Sequence, residues 1–492
     1  MTAVPDSGTR AAQRVALSAV ALVGARAVQF ILSMVVTVAL VRHFGPSDYG
    51  DYIFVVSLTG ALVLFSDFGL MKVAVGEITR EPEAEPAILG TVMLARLAIA
   101  AVIALGAQLF LATIGTRETV RVAVAIASAW FASEALLTTL ALFQVRLAMQ
   151  FEALTSLISN LAQVIGALWL IQHGGTVHQI VALPALGSLL AAATAAGIAR
   201  ARYHASVRVD LHRLPRLLVS ALPVGITVGI AMVSLKLGGV ILGVMATPED
   251  VGLYGAASKL IEYLVIGTAI MLNPAYPLLV RWYLGDPERF RLLYVRMATA
   301  IMVLMLPVPI TFAFTADWLV ALLYPPEFAG SASGFQILSI ALALLVLNAW
   351  HGFVLLAARR QQLTLAYDAA ALVANLVLNL VLIPRLGYLG AAWAALGASV
   401  FAASCAIFAV ARVGAQFQRT PLVRVGLALV TFTAALWAGL AGGLPVIAAV
   451  GVASLTYAFA LQSLRIVDVK SVRALLPGPR AVAPRVPELE VL

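Results

Sequence analysis

Long apolar runs, each ended by a short stretch carrying charge, Gly or Pro, occupy the chain from about residue 15 to residue 463. A bilayer core takes about 20 apolar residues as a helix, and runs of that length number about fourteen. They are predicted at 15–40, 50–70, 87–113, 119–143, 150–171, 178–200, 216–243, 252–275, 293–315, 332–357, 362–383, 388–411, 422–441 and 444–463. The last two are split by Gly442, Gly443 and Pro445. Arg10 and Arg14 precede a first run too long for the apolar core of a cleavable signal peptide, so it is expected to stay as a span.

The polar stretches carry an orientation signal. With the N-terminus placed inside, 24 of the 32 Lys and Arg residues fall in inner segments, four (Arg42, Arg117, Arg121, Arg385) in outer loops and four within spans. This is the positive-inside distribution, and it predicts cytoplasmic termini. The longest outer loop is expected around 316–331. The inner segment with Arg200, Arg202, Arg208, Arg213 and Arg216 reads as a topology anchor on anionic headgroups, or a docking segment.

Composition agrees with lipid as the main solvent. Of 492 residues, 62% are hydrophobic and 11% charged, against about 45–50% and about 25% in soluble domains. A cytosolic enzyme, a secreted disulfide scaffold and a disordered chain are excluded. Cys405 stands alone, so no internal disulfide forms. The net charge of +9 is spent on orientation and does not call for nucleic acid as a partner.

A repeat is written into the chain. Pro46, Asp48, Gly50 and Tyr52 recur as Pro248, Asp250, Gly252 and Tyr254, all at an offset of 202 residues. Asn160-Leu161 recurs as Asn375-Leu376. Six spans separate each pair, an even number, so both halves have the same orientation. The expected fold is an all-α polytopic membrane protein with two six-helix lobes in parallel repeat and a C-terminal helix pair. The expected divisions are a cytoplasmic N-terminus (1–14), a first lobe (15–200), a basic linker (201–215), a second lobe (216–411), two further spans (412–463) and a Pro-rich cytoplasmic tail (464–492).

No GxxxxGK[ST], HExxH or CxxC motif occurs, and no outer loop is large enough to carry polymerase or ligase chemistry. The chain reads as a transporter, with neither an enzyme's constellation nor a metal site or cofactor. Ionisable residues inside spans are then the functional candidates. Arg26, Lys236 and Lys259, on spans expected to flank the lobe interface, suit a phosphate or diphosphate, and Arg96 is a further cation nearer the inner surface, within snorkelling reach. Glu262, Glu134, Asp368 and His351 are candidates for coupling to an ion. Structural readings stand beside these: Lys259 and Glu262 are i,i+3 and neutralise each other, His351 is a packing histidine, and Asp67 caps a helix. Pro223, Gly225 and Gly229 predict a bendable seventh span.

Several segments together resemble Wzx-type oligosaccharide flippases of the multidrug/oligosaccharidyl-lipid/polysaccharide exporter superfamily. They are Phe44-Gly45-Pro46-Ser47-Asp48-Tyr49-Gly50, Asp67-Phe68-Gly69-Leu70, Ala221-Leu222-Pro223-Val224-Gly225, Val251-Gly252-Leu253-Tyr254-Gly255-Ala256-Ala257-Ser258-Lys259-Leu260, and Tyr324 through Phe328 followed by Phe335-Gln336-Ile337-Leu338. The resemblance implies a V-shaped two-lobe fold in a bacterial inner membrane. It also implies translocation of undecaprenyl-diphosphate-linked oligosaccharide from the cytoplasmic to the periplasmic leaflet, through a cationic lumen coupled to an ion gradient. Expected partners are the lipid-linked oligosaccharide, the bilayer and polysaccharide polymerase or chain-length proteins. A lipid II flippase is a close relative, but such flippases carry an acid beside the first-helix arginine, where this chain has Ala27. A multidrug/cation antiporter of the same superfamily is the other alternative; it would prefer an acidic cavity.

Overall fold

Inside a bilayer each backbone N–H and C=O must find its partner within the protein, and a helix achieves this within one segment. In the computed structural model, which describes residues 31–272, 276–415 and 419–466, all regular elements among the described residues are helices. In chain order these are α1 (Ile31–His43), α2 (Pro46–Asp67), α3 (Leu70–Arg80), α4 (Glu85–Thr113), α5 (Glu118–Ala127), α6 (Ala129–Leu136), α7 (Leu140–Val145), α8 (Met149–Gln172), α9 (Val177–Ile180) and α10 (Leu183–Tyr203). The second half has α11 (Leu214–Met245), α12 (Pro248–Leu272), α13 (Tyr276–Gly285), α14 (Pro287–Met305), α15 (Pro307–Leu323), α16 (Ser331–Ala357), α17 (Gln361–Leu386) and α18 (Tyr388–Ala411). The pair α19 (Arg419–Ala441) and α20 (Val446–Ser463) follows.

By length and composition, 11 helical stretches among the described residues are able to cross a membrane. Their outward faces are apolar: Val102, Leu105, Ile447, Leu455 and Phe459 are each at least 70% exposed. In water that surface would be costly, at about 25 cal/mol per Å². In lipid it is the expected finish.

Proline marks the starts. Pro46, Pro248, Pro287 and Pro307 each open a helix, because the first-turn N–H that proline lacks would have no intrahelical partner. The second of the expected spans continues past its predicted end as α3, after a break where Phe68 and Gly69 take φ of 45° and 81°. The loop expected around 316–331 is shorter than predicted. Helix α15 runs on to Leu323, and Pro325 and Pro326 end it. Pro223 sits inside a continuous α11.

The two halves meet along α2, which packs against both α11 and α12. At the Pro46 end the repeated segments touch each other reciprocally. A Cβ on Gly50 would overlap the Pro248 carbonyl oxygen, and one on Gly252 would overlap that of Pro46. Residues offset by 202 thus make equivalent contacts, as a pseudo-two-fold relation requires. Around this crossing lies an apolar core drawn from both halves. It includes Tyr49, Ile53, Val251, Phe328 and Phe335, with the Tyr49 and Phe328 rings 5.8 Å apart edge to face. Arg42 adds a polar tie, its Nε donating to the Leu323 carbonyl at 3.1 Å.

At the opposite end of α2 the segment between α10 and α11 is strapped to the first half. Arg208 N donates to the Pro86 carbonyl at 2.9 Å, and Asp210 N to Thr91 Oγ1 at 2.9 Å. Arg213 pairs with Glu81 at 2.7 Å, and Arg216 with Glu77 at 3.2 Å. Two of the five arginines read as a lipid anchor are therefore held by carboxylates of the α3 end. A further arginine, Arg202, lies over the Phe151 ring at 5.7 Å.

The Arg213 guanidinium, by hydrogen bond and charge, holds the Glu81 carboxyl below the usual range, and Glu81 in turn raises Arg213. A carboxyl depressed on folding stabilises the strap above its unfolded value, and that contribution is lost as pH falls through the folded value. Amide exchange across 208–213 is accordingly expected to stay slow near neutrality and to gain opening as the pH drops below the ordinary carboxylate range. Glu81→Gln should remove this pH step; an unchanged step in that variant would assign it to another group.

Candidate functional site

Helices α11 and α12 follow one another through a two-residue turn at Ala246 and Thr247, and both pack on α2. At 1.5 Å per residue, Lys236 lies about 15 Å and Glu262 about 21 Å from that turn, a difference that a lysine stem spans. Lys236 Nζ donates to Glu262 Oε1 at 2.7 Å, and Lys259 Nζ donates to Glu262 Oε2 at 2.8 Å. One carboxylate thus bridges two ammonium groups, all three mostly buried. The i,i+3 pair was legible in the sequence; the arrival of Lys236 was not, because it depends on which faces α11 and α12 turn to each other.

This cluster stands where the halves meet. Lys236 Cε lies 3.7 Å from the position a Cβ would take on Gly60 of α2. Glu262 also lines a cavity of about 440 Å³ inside the second half, between α11, α12, α16, α17 and α18. Tyr254, Ser258, Asn348, Tyr367 and Asp368 are among its polar walls. The structure therefore brings together Lys236, Lys259 and Glu262, and places Asp368 on the same cavity as Glu262.

The remaining candidates lie elsewhere. Arg96 does not snorkel: it is 4% exposed, with its Nε 3.3 Å from Asp67 Oδ1 and its Nη1 donating to Thr138 Oγ1 at 2.9 Å. Asp67 also accepts from the amides of Gly69 and Met71, both at 3.2 Å, and so caps the start of α3. Glu134 accepts from Trp130 Nε1 at 3.1 Å and Ser188 Oγ at 2.7 Å, within the first half. His351 is fully buried, with its Nε2 3.3 Å from the Tyr294 hydroxyl. Arg26 lies outside the described residues.

Tyr254 and Ser258 stood in the sequence only as parts of the repeat and of the family-like segment, and Asn348 and Tyr367 gave no signal, since uncharged polar residues on spans do not show which way they face. Asn375 lines the cavity too; Asn379 donates to its carbonyl oxygen at 2.8 Å.

Chemically, the cluster offers two ammonium donors to an anion, and the cavity offers hydroxyls, amides and a carboxylate to a cation or to a displaced acid.

Three comparisons bear on this arrangement. A family model described as "Polysaccharide biosynthesis protein" matches residues 16–283, more than half of the chain. The fold is similar to the lipid II flippase MurJ in an inward closed conformation, with a TM-score of 0.77 at 14% identity, covering 91% of this chain and 100% of that one. It is also similar to an inward-facing multidrug resistance MATE family transporter of the MOP superfamily, with a TM-score of 0.64 at 11% identity, covering 78% of this chain and 95% of that one. A eukaryotic MATE transporter follows with a TM-score of 0.54 at 14% identity, covering 82% and 96%. No curated protein sequence matches the chain.

Proposed function

For a chain that belongs to the polysaccharide biosynthesis protein family, we propose a lipid-linked glycan flippase. It carries undecaprenyl-diphosphate-linked oligosaccharide from the cytoplasmic to the periplasmic leaflet of a bacterial inner membrane, with both of its own termini cytoplasmic. The observation that carries this reading is the convergence of Lys236 and Lys259, from two helices, on one carboxylate where the halves meet. A diphosphate is the part of such a lipid that most resists the bilayer interior, and paired ammonium groups are what lowers that barrier. Membership of the family and likeness in fold to flippases and exporters support a transporter over an enzyme.

Movement follows from the two halves. The Gly50–Gly252 crossing closes one end, the outer one in this reading, while the strap at Glu77 and Glu81 holds the other. Rocking of one half on the other exposes the lysines to each leaflet in turn. Asp368 and Glu262, on one cavity beside the lysines, are the acids best placed to couple this to a cation gradient. Arg26 is kept as a further cation of this proposal, whereas Arg96, already answered by Asp67 within the first half, is not. A lipid II flippase, whose cargo is also a diphosphate-linked lipid, is an alternative alongside a multidrug/cation antiporter, told apart by the cargo identified.

The test is the sidedness of the glycan in a deletion strain. Mass spectrometry identifies the lipid-linked glycan, and a membrane-impermeant label reports its leaflet. Loss of the protein should leave the diphosphate-linked glycan on the cytoplasmic side. Wild type should restore outward delivery, and Lys236→Gln/Lys259→Gln should restore at most about a tenth of it, the tenfold that about 1.4 kcal/mol represents. Normal outward display in the deletion strain would remove glycan flipping from consideration.

A further inference from the structure

The cationic cluster contains its own anion. Glu262 gives one oxygen to each lysine, at 2.7 and 2.8 Å, so the carboxylate occupies the place between two ammonium groups that a phosphate would take. On one side of it is Lys236, lying over Gly60 at the junction of the halves. On its other side is the cavity with the Tyr254 and Ser258 hydroxyls and Asn348 on its walls.

Resting on the flippase reading, we propose that Glu262 is a placeholder anion that a diphosphate displaces. Two lysines held away from water need a counter-charge in the empty carrier, since a buried ammonium without one is strongly disfavoured. Glu262 supplies it. A diphosphate carries more negative charge and more acceptor oxygens than one carboxylate, and so takes the lysines from it. The displaced Glu262 turns into the cavity, where hydroxyl and amide donors receive it. When the cargo leaves, Glu262 returns to the lysines and speeds release. Glu262 is thus a positioning residue: it touches the lysines, and sets the affinity for cargo by competing with it.

The proposal predicts opposite signs at neighbouring positions, which an ordinary structural ion pair does not. The experiment uses the full-length protein in nanodiscs, with farnesyl diphosphate as the probe and farnesol as the uncharged control. Glu262→Gln removes the competitor and should bind farnesyl diphosphate about tenfold more tightly than wild type, with farnesol binding unchanged. Lys236→Gln should bind the diphosphate at least tenfold more weakly. In cells Glu262→Gln should deliver less glycan outward, because the cargo is held.

Folding is checked by thermal stability, with Glu262→Ala as a second competitor-free variant and the exchanged pair Lys236→Glu/Glu262→Lys as a control that keeps an ion pair. If both folded Glu262 variants bind the diphosphate no more tightly than wild type, the placeholder role is wrong. If the exchanged pair recovers stability and the folded Glu262→Gln binds the diphosphate no more tightly than that pair does, Glu262 is only a structural partner and the proposal falls. Tighter binding by Glu262→Gln together with normal glycan display in the deletion strain would uphold the anion exchange and overturn the flippase reading. Dependence of glycan delivery on the protein, without tighter binding, would do the reverse.

Discussion

Replacing Gly50 with valine is expected to open the crossing at the Pro46 end and, on the proposed flippase function, to reduce outward glycan delivery by at least about tenfold, the factor that about 1.4 kcal/mol represents. The reason is backbone geometry. Even the first side-chain carbon at residue 50 would overlap the Pro248 carbonyl oxygen, and the nearby Gly252 nitrogen stands 3.0 Å away. A clash with a side chain is relieved by a rotamer change and costs about 1–3 kcal/mol. A clash with a carbonyl oxygen is relieved only by moving α12 away from α2. That movement also strips cover from Tyr49 and Phe328, both fully buried in the shared core.

The repeat makes the prediction sharper. Gly252→Val should act on the same crossing, because its Cβ would overlap the Pro46 carbonyl oxygen. The two substitutions should therefore be strongly non-additive, as expected for residues in contact. Leaflet-resolved glycan labelling gives the transport readout, and reaction of an impermeant thiol reagent with Tyr49→Cys reports opening. Wild-type delivery together with a protected residue 49 in both valine variants would show that the crossing does not close the carrier.

Asp67→Ala should be the most destabilising single charge removal in the first half, by about 3 kcal/mol. Breaking a buried ion pair from one side costs about 3–5 kcal/mol because the other charge remains uncompensated. The lower end applies here, since the Asp67 side chain is 31% exposed while that of Arg96 is 5% exposed. Asp67 has a second task, as its carboxylate accepts from the first amides of α3 after the left-handed turn at Phe68 and Gly69. Asp67→Asn keeps a side-chain oxygen for the cap but loses the charge, so it should fall between wild type and alanine. Pairing Asp67→Ala with Arg96→Met should regain much of the loss, because the stranded guanidinium is gone. Thermal unfolding in detergent measures all four proteins. Equal stability of Asp67→Ala and wild type would mean that Arg96 finds its counter-charge elsewhere.

Spans and turns were readable because lipid imposes a length and a polarity on them. The predicted 388–411 and 332–357 match α18 and α16 to within a residue. The short α13, from Tyr276 to Gly285, was missed because its ten residues, interrupted by Arg281, fall below a span's length. The extension of α15 to Leu323 was missed because Asp317 breaks the apolar run without breaking the helix. Among the site residues, the sequence singled out Lys236, Lys259, Glu262 and Asp368 as charges in lipid, which is a strong signal by itself. It did not separate them from Arg96 or Glu134, whose charges answer partners inside the first half.

By itself, the sequence determined that this is a helical membrane protein in which a Pro-Asp-Gly-Tyr pattern recurs at a fixed offset, because apolar length and a repeat are properties of one dimension. Only the tertiary structure decided that Gly50 and Gly252 pass against each other's neighbouring prolines, and that Lys236 and Lys259 share Glu262. It also decided that Arg96 answers Asp67. These are decided by helix rotation and by which backbones approach closely, and a helix's azimuth is set by packing against its neighbours, not by the residues it carries alone.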